Sequence, residues 1–166
     1  MHSTSKKTAA ETAKPQRPTP VLIAAGSNHD ASRTLTEALA SLPQLLDDMV
    51  MTEVLVNPAL GIEAADFSNL LITGTTTLDA ASLNTQLKAI ERRCGDRREL
   101  RSCGEILLDL DLLAFGRQQL HQADWERGYI QQLLEELSVL CADRREVRRW
   151  YRIIHPENPQ NHEATV

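Results

Sequence analysis

The chain has 166 residues, enough for one domain with its own core, and no apolar run approaches the ~18 residues of a membrane span. Its apolar share of 42% and charged share of 25% are those of an ordinary globular protein, and a net charge of −5 gives no general attraction to nucleic acid. Three cysteines without a Cys-x-x-Cys pair argue against a disulfide framework and against a zinc site. We therefore expect a cytoplasmic protein with neither a membrane nor a nucleic-acid partner.

Composition divides the chain into three segments. Residues 1–19 are rich in Lys, Thr, Ala and Pro and lack an apolar core, so we expect a disordered arm and neither a signal peptide nor an anchor. Residues 20–154 are predicted to form a single domain, and residues 155–166 a flexible tail.

The first half of the domain predicts a strand, a helix and two further strands. Residues 21–25 are an apolar run that ends in a Gly-Ser-Asn turn, and the helix after it is capped by Asp30 or Ser32. The β-branched stretch 49–56 predicts a second strand, and the threonine-rich stretch 67–77 a third.

The second half predicts a helix, the clearest strand of the chain and a helical end. Asp79 caps the helix and Gly95 stops it, and a charged loop follows. The strand covers residues 106–115, and residues 129–154 are predicted to be largely helical. The order β-α-β-β-α-β followed by helix indicates an α+β protein of the ferredoxin-like, or split βαβ, arrangement, with helices packed on an antiparallel sheet.

The most informative feature is a pair of carboxylates in the last strand, Asp109 and Asp111. Side chains two residues apart in a strand point the same way, so the leucines between and beside them fill the other face. Two close carboxylates repel each other and resist burial. They therefore lie at an exposed edge, pair with arginines, or coordinate a hard cation such as Mg²⁺; the arginine-rich loop upstream, which suits a polyphosphate, favours the cation.

Four motifs in register resemble the 6-hydroxymethyl-7,8-dihydropterin pyrophosphokinase family over about residues 20–130. In chain order they are Gly26-Ser27-Asn28, then Asn57-Pro58-Ala59-Leu60-Gly61 with Asp66-Phe67-Ser68-Asn69, then Ile90-Glu91, and finally Leu108-Asp109-Leu110-Asp111-Leu112-Leu113-Ala114-Phe115-Gly116. The resemblance implies Mg²⁺-dependent transfer of the terminal diphosphate of ATP to the pterin hydroxymethyl group, a step of folate biosynthesis that releases AMP. It implies ATP as co-substrate, two Mg²⁺ ions, and a small pterin as the bound partner.

The resemblance also implies roles for single residues. Asp109 and Asp111 would be catalytic and hold both metal ions, and Arg98 would be a further catalytic residue. Phe67 and Tyr129 would stack on the two faces of the pterin. The remaining pterin contacts would come from Asn69, Pro58 and Leu60. The nucleotide contacts would come from Glu91, Arg97, Arg98, Leu112 and Arg127.

Each of these residues also has an ordinary structural interpretation. Phe67 and Tyr129 are equally typical of a core, and Asn69 of a turn that satisfies backbone groups. Glu91 is also explained as a helix-surface partner of Lys88, three residues earlier. Their joint register with the acidic pair favours the functional interpretation.

The sequence departs from the family pattern where the family carries phosphate-binding arginines. Cys103-Gly104-Glu105-Ile106 stands for Trp-Gly-Pro-Arg, Asp96 stands for an arginine after Gly95, and the family's Pro-His segment is missing. Arg97, Arg98 and Arg101 are near enough in sequence to compensate. Two hypotheses therefore remain: an active diphosphokinase, or a catalytically degenerate member that binds a pterin, a nucleotide or a protein partner.

A second basic run lies near the C-terminus, with arginines at positions 144, 145, 148, 149 and 152. Such a run is usually the solvated face of a helix. It is also the surface we predict for a protein partner.

Overall fold

The computed structural model describes residues 17–59 and 64–154, so most of the predicted N-terminal arm and all of the predicted tail lie outside the described residues. The strands are β1 (Thr19–Ser27), β2 (Asp47–Met51), β3 (Leu55–Asn57), β4 (Phe67–Thr76), β5 (Asp109–Phe115) and β6 (Gln118–Gln119). The helices are α1 (Ala31–Ser41), α2 (Ala80–Arg93), α3 (Arg98–Ser102), α4 (Gln122–Trp125), α5 (Gly128–Leu140) and α6 (Arg145–Ile154), with a 3-10 turn at Leu42–Gln44. No helix among these residues is long and apolar enough to cross a lipid bilayer.

The strands form one six-stranded sheet in the order β2-β4-β1-β5-β6, and β3 lies beside β4 in line with β2. Every neighbouring pair is antiparallel. The central position of β1 follows from its sequence, since Val21, Leu22 and Ile23 are fully buried and a run with no polar alternation must be covered on both faces. The predicted mixed α and β protein with an antiparallel sheet is confirmed, and the ferredoxin-like assignment stays a prediction.

Each face of the sheet is covered by its own helices. Val21 and Ile23 face α1 and α2, while Leu22, between them, faces α5 and α6, as the two-residue period of a strand requires. Asp79 caps α2 through a bond from the Ser82 amide, and Gly95 follows the helix with a φ of 94°, so the predicted start and stop of this helix are confirmed.

The second predicted strand, residues 49–56, is wrong in its continuity, because β2 and β3 are separate. The buried Thr52 lies between them and bonds Leu71 of β4 twice. Its amide donates to the Leu71 carbonyl at 3.0 Å, and its hydroxyl accepts from the Leu71 amide at 3.0 Å. A side chain thus replaces one backbone partner of the ladder, and the strand is interrupted there.

The loop predicted before β5 contains a short helix, α3, and β5 begins three residues later than the predicted 106–115. The amides of Ile106 and Leu107 donate to side chains: to Asn28 Oδ1 at 2.7 Å and to Asp96 Oδ1 at 3.1 Å. Because side chains satisfy these amides, this stretch does not enter the ladder.

The single helical end predicted for residues 129–154 is two helices, α5 and α6, joined by a turn, with α4 before them. The turn returns α6 to the sheet. The Trp150 indole N–H donates to the Gly116 carbonyl, and the Tyr151 hydroxyl donates to the Leu134 carbonyl of α5 at 3.0 Å. A straight helix would carry both aromatic side chains away from these partners.

Candidate functional site

A cavity of about 210 Å³ lies at the edge of the sheet where β1 ends and β4 and β5 begin. The predicted site residues that line it are Pro58, Phe67, Asn69, Asp109, Asp111, Arg127 and Tyr129. Leu60, the remaining predicted pterin contact, lies outside the described residues. Residues that are far apart in sequence are thus brought to one place.

The acidic pair lies on the cavity side of β5, as the strand period predicts. Asp111 is opposite Ala24 and Asp109 is opposite Gly26 on β1, and these small residues leave space above the carboxylates. Leu108, Leu110 and Leu112 are buried on the other face against α1 and α2. The Asp109 and Asp111 side chains remain 33% and 27% exposed, so both are accessible to a ligand.

Asn69 forms the polar part of the opposite wall. Its amide Nδ2 donates to Asn57 Oδ1 at 2.6 Å, and Asn57 Nδ2 in turn donates to the Pro58 carbonyl at 3.0 Å. A Cβ added at Gly26 would lie 2.7 Å from Asn69 Oδ1, closer than such contacts occur. The glycine of the Gly-Ser-Asn motif therefore makes room for a side-chain amide that faces the cavity.

Aromatic side chains enter the cavity from two elements, Phe67 from β4 and Tyr129 from α5. Arg127 donates to the Tyr129 hydroxyl at 3.3 Å through Nη1, and its Nη2 lies 3.0 Å from Asp124 Oδ1. These contacts hold the exposed Arg127 at the cavity beside the aromatic ring. Two half-buried rings and an amide at one cavity suit a flat heterocycle with hydrogen-bonding edges.

Two basic side chains, Lys88 and Arg101, reach the acidic pair from outside the cavity. Lys88 Nζ lies 3.5 Å from Asp111 Oδ1 and 3.9 Å from Asp109 Oδ1. Arg101 Nη2 lies 3.0 Å from Asp109 Oδ1. The pairing with basic residues that the sequence left open is therefore present.

Buried carboxylates hold both basic residues in place. Lys88 Nζ lies 2.7 Å from Glu91 Oε1 and donates to the Leu110 carbonyl at 3.1 Å. Arg101 Nε lies 2.6 Å from Asp96 Oδ2, and Nη2 donates to the Leu108 carbonyl at 3.1 Å. The Glu91 and Asp96 side chains are each only 7% exposed.

The charges of this cluster shift the pKa values of its members. Burial raises the pKa of the Asp111 carboxyl, and the neighbouring Asp109 charge raises it further, while Lys88 only partly opposes both. Burial also raises the pKa of Glu91. Burial lowers the pKa of the Arg101 guanidinium, but the hydrogen bond to Asp96 and the charge of Asp109 outweigh it, so the net direction is upward. Negative charge is thus in excess, and a further cation would relieve it.

The donor set fits Mg²⁺ bound together with a phosphate ligand. Mg²⁺ prefers oxygen ligands and is usually held by one or two carboxylates plus waters and substrate phosphates. Two half-buried carboxylates on one strand face, with the raised pKa of Asp111, match that pattern. Among residues 17–59 and 64–154 there is no group of three or more His, Cys, Asp or Glu side chains that could hold a metal ion, so waters or phosphate oxygens would complete the shell of a cation at the acidic pair.

Four of the residues predicted to contact the nucleotide do not line the cavity. Arg97 and Arg98 are exposed, do not line the cavity and form no ion pair within the described part of the chain. Leu112 points into the core on the far face of β5, and Glu91 accepts from the Leu110 amide at 2.6 Å. Their contacts with a nucleotide stay predictions.

The pairing of Lys88 with Glu91 that the sequence offered is present, but the sequence did not predict the contacts of Lys88 and Arg101 with the acidic pair, nor the role of Asn28. Asn28 bridges to the segment before β5, donating to the Gly104 carbonyl at 2.8 Å and accepting from the Ile106 amide at 2.7 Å. The only available signals were that Lys88 precedes Glu91 by one helical turn and that Arg101 belongs to a basic run. Neither signal distinguishes these residues from their exposed neighbours.

Fold and cavity together define a mixed α and β domain with an antiparallel sheet, in which an acidic pair lies beside an aromatic and amide-lined cavity wall. The chain belongs to the 7,8-dihydro-6-hydroxymethylpterin-pyrophosphokinase (HPPK) family, whose family model matches residues 22–139. The resemblance found in the sequence motifs is thereby confirmed. A comparison with curated proteins gave no match.

Proposed function

We propose that this protein transfers diphosphate from ATP to 6-hydroxymethyl-7,8-dihydropterin in folate biosynthesis. The observation that carries the proposal is the single cavity that joins Asp109 and Asp111 with Phe67, Asn69 and Tyr129. An acidic pair alone indicates only a cation, and aromatic walls alone only a flat ligand. Their combination suits a heterocycle whose reacting hydroxyl lies beside a metal-bound polyphosphate.

The chain's residues supply binding and orientation. Phe67 and Tyr129 hold the pterin ring, and Asn69, fixed by Asn57, offers its amide to the polar edge of the ring. Arg127, exposed beside Tyr129, supplies positive charge at the cavity opening. The pterin hydroxyl oxygen forms a bond to the β-phosphorus of ATP, the bond from that phosphorus to the α,β-bridging oxygen breaks, the hydroxyl proton is released, and AMP leaves.

Asp109 and Asp111 are the residues that would hold Mg²⁺. Bound there, the ions neutralise phosphate charge and align the two substrates. Phosphoryl transfer requires mostly such positioning and charge neutralisation, so a small domain with few reactive side chains is sufficient.

The test is AMP release from the purified protein with ATP, Mg²⁺ and the dihydropterin. We expect pterin-dependent AMP that falls by 10³-fold or more in Asp109→Ala and Asp111→Ala, by analogy with the loss of other charge-neutralising groups. Asp143→Ala, an exposed acid in the turn after α5, is the matched control and should keep full activity. Absence of AMP from folded wild-type protein would refute the proposal.

One observation favours a catalytically degenerate member as the second candidate. Ile106, which stands where the family has an arginine, lines the cavity with an apolar side chain. Loss of a phosphate-binding arginine is worth about 10³–10⁵ in rate in related chemistry. Titration calorimetry distinguishes the candidates: binding of the pterin and a non-hydrolysable ATP analogue without turnover supports this alternative.

The C-terminal arginines favour a protein partner in that case. The exposed side chains of Arg145, Arg148, Arg149 and Arg152 line a shallow groove on α6, and none forms an ion pair within the part of the chain that the structure describes. Trp150 and Tyr151 are buried and cannot stack on nucleic-acid bases, so an acidic protein segment is the better match.

Charge reversal tests this surface. Arg149→Glu combined with Arg152→Glu should leave the melting temperature unchanged and abolish a pull-down partner, because both side chains are exposed and neither contributes to the core. Arg117→Glu, an exposed arginine outside α6, is the control. An unchanged set of partners would exclude the surface.

A further inference from the structure

The basic residues around the acidic pair divide into two groups. Arg92, Arg93, Arg97 and Arg98 are exposed, whereas Lys88 and Arg101 are half-buried and reach the site carboxylates. Membership of the basic run therefore does not determine which residue approaches the site. The contacts that each side chain forms with its surroundings determine it.

Lys88 and Arg101 are anchored in the same way. Each is paired with one buried carboxylate, Glu91 for Lys88 and Asp96 for Arg101. Each also donates to a backbone carbonyl on or just before β5, that of Leu110 or Leu108. Each basic side chain therefore has two contacts besides the one with a site carboxylate. These two contacts fix the position of its charged group.

The contacts with the site carboxylates involve one oxygen of each. Arg101 meets Oδ1 of Asp109 at 3.0 Å, and Lys88 meets Oδ1 of Asp111 at 3.5 Å. Among residues 17–59 and 64–154, no N–H group of the protein donates a hydrogen bond to the Oδ2 atom of either carboxylate. When a basic side chain holds one oxygen of a carboxylate, the direction in which the other oxygen points is restricted as well.

The net formal charge of the cluster also favours binding of a cation. Four carboxylates, those of Glu91, Asp96, Asp109 and Asp111, surround the two basic groups, so the cluster retains two negative charges when all are ionised. The basic pair thus orients the carboxylates without neutralising them.

We propose that Lys88 and Arg101, held by Glu91 and Asp96, are positioning residues that orient the Asp109 and Asp111 carboxylates for a divalent cation. The inference rests on the proposed function only in taking the acidic pair as the cation site. Neither basic residue is assigned a contact with substrate.

The test is Mn²⁺ binding to the full chain, followed by electron paramagnetic resonance, with Lys88→Gln and Arg101→Gln. Simple Coulomb attraction predicts that removing a positive charge beside the site strengthens cation binding. Positioning predicts the opposite, a weakening of about tenfold or more, the usual effect of removing an outer partner of a metal ligand. The sign of the change therefore separates the two.

Controls separate orientation from folding and from charge. Arg93→Gln, an exposed arginine of the same run, should bind Mn²⁺ like the wild type. Arg101→Lys keeps the charge but cannot bridge Asp96 and Asp109 with a planar fork, so its affinity should stay as weak as that of Arg101→Gln. If Arg101→Gln unfolds, the test relies on Lys88→Gln. In that variant Glu91 still accepts a hydrogen bond from the Leu110 amide, so the buried carboxylate keeps a partner.

Equal or tighter Mn²⁺ binding by folded Lys88→Gln and Arg101→Gln would overturn the inference, as would wild-type protein that binds no Mn²⁺. The AMP assay is scored separately. Wild-type protein that binds Mn²⁺ but releases no AMP would refute the proposed reaction, while weaker Mn²⁺ binding by the two variants would still support positioning.

Discussion

Asn28 connects two parts of the site that are 76 residues apart or more. Both ends of its side-chain amide are used, one on the Gly104 carbonyl and the other on the Ile106 amide, and its own amide donates to the Ile106 carbonyl at 3.0 Å. The turn after β1 therefore fixes the segment that leads into the acidic strand. The Asn28 of the Gly-Ser-Asn motif therefore does more than form a turn: it bonds β1 to the segment before β5.

Asn28→Ala should lower the free energy of unfolding by about 2 kcal/mol, because two hydrogen bonds of about 1 kcal/mol each are lost. Asn28→Asp keeps the acceptor for the Ile106 amide but turns a carboxylate oxygen toward the Gly104 carbonyl, which also only accepts, so it too should be less stable than the wild type. Urea midpoints measure both. Equal stabilities for all three proteins would contradict the bridging role.

Gly26→Ala should disturb Asn69 more than it disturbs the backbone. The added Cβ would lie 2.7 Å from Asn69 Oδ1, so the amide must move, and we expect about tenfold weaker pterin binding, equivalent to one lost hydrogen bond. Gly128→Ala is the matched control, since a Cβ there meets nothing within 4 Å. Fluorescence titration with the pterin measures both, and equal affinities would contradict the prediction.

At the scale of elements, α6 is docked by its aromatic face. Trp150, Tyr151 and Ile154 are buried with Leu22 and Leu113 of the sheet, and the opposite face carries the arginines. Since residues 141–144 form the turn that makes this contact, α6 behaves as a cover on the sheet and not as an extension of α5.

Trp150→Ala should therefore destabilise the whole domain by about 3–5 kcal/mol, the range for removing a buried aromatic residue. Thermal and urea unfolding measure the loss. Arg149→Ala, its exposed neighbour, should stay within about 0.5 kcal/mol of the wild type. A change below about 1 kcal/mol for Trp150→Ala would mean that α6 contributes little to the fold.

The elements that local patterns determine could be predicted from the sequence. β1, α1, β4 and α2 follow from apolar periodicity and from the cap and stop at Asp79 and Gly95. The break at Thr52 and the late start of β5 could not, because both depend on side chains that bond backbone amides across 11 or more residues. The turn that brings α6 back to the sheet likewise depends on distant partners, Gly116 and Leu134.

The candidate site divides in the same way. The shared face of Asp109 and Asp111 follows from the period of a strand, and Phe67, Asn69 and Tyr129 line the same cavity, as expected from the motifs. The sequence did not show which basic residue contacts the acidic pair. Lys88 lies on α2, 23 residues before Asp111, and only the packing of α2 against β5 brings the two side chains together. The sequence assigned nucleotide contacts to Arg97 and Arg98 and named Arg101 only as a residue that could compensate, yet it is Arg101 that contacts Asp109.

At the scale of the molecule, we expect the partly buried charge of Asp111 to oppose folding of the metal-free protein at neutral pH. The folded-state pKa of Asp111 is raised by burial and by Asp109, so its stabilising contribution is complete below the unfolded pKa and is lost as the pH rises through the folded pKa. Such strain is common where function requires charge in a partly buried place.

Asp111→Asn should therefore be more stable than the metal-free wild type near pH 7, by about 1 kcal/mol, and the difference should shrink as the pH falls toward the ordinary pKa of an aspartate. Urea midpoints across that range measure it. Added Mg²⁺ should stabilise the wild type and leave the variant unchanged, since binding to the folded state shifts the unfolding equilibrium. A difference that does not vary with pH would contradict the assignment.

The contact between α2 and Leu110 has a consequence for how the molecule meets its neighbours. At this residue no other strand pairs with the outer side of β5 within the described part of the chain, yet the Leu110 N–H and C=O are taken by Glu91 and Lys88. A strand from another molecule would have to displace both charged groups before it could add to the sheet here. Open sheet edges are a common start of aggregation, and charged side chains across them are a common protection. The groups that surround the acidic pair thus also guard the protein against edge-to-edge association.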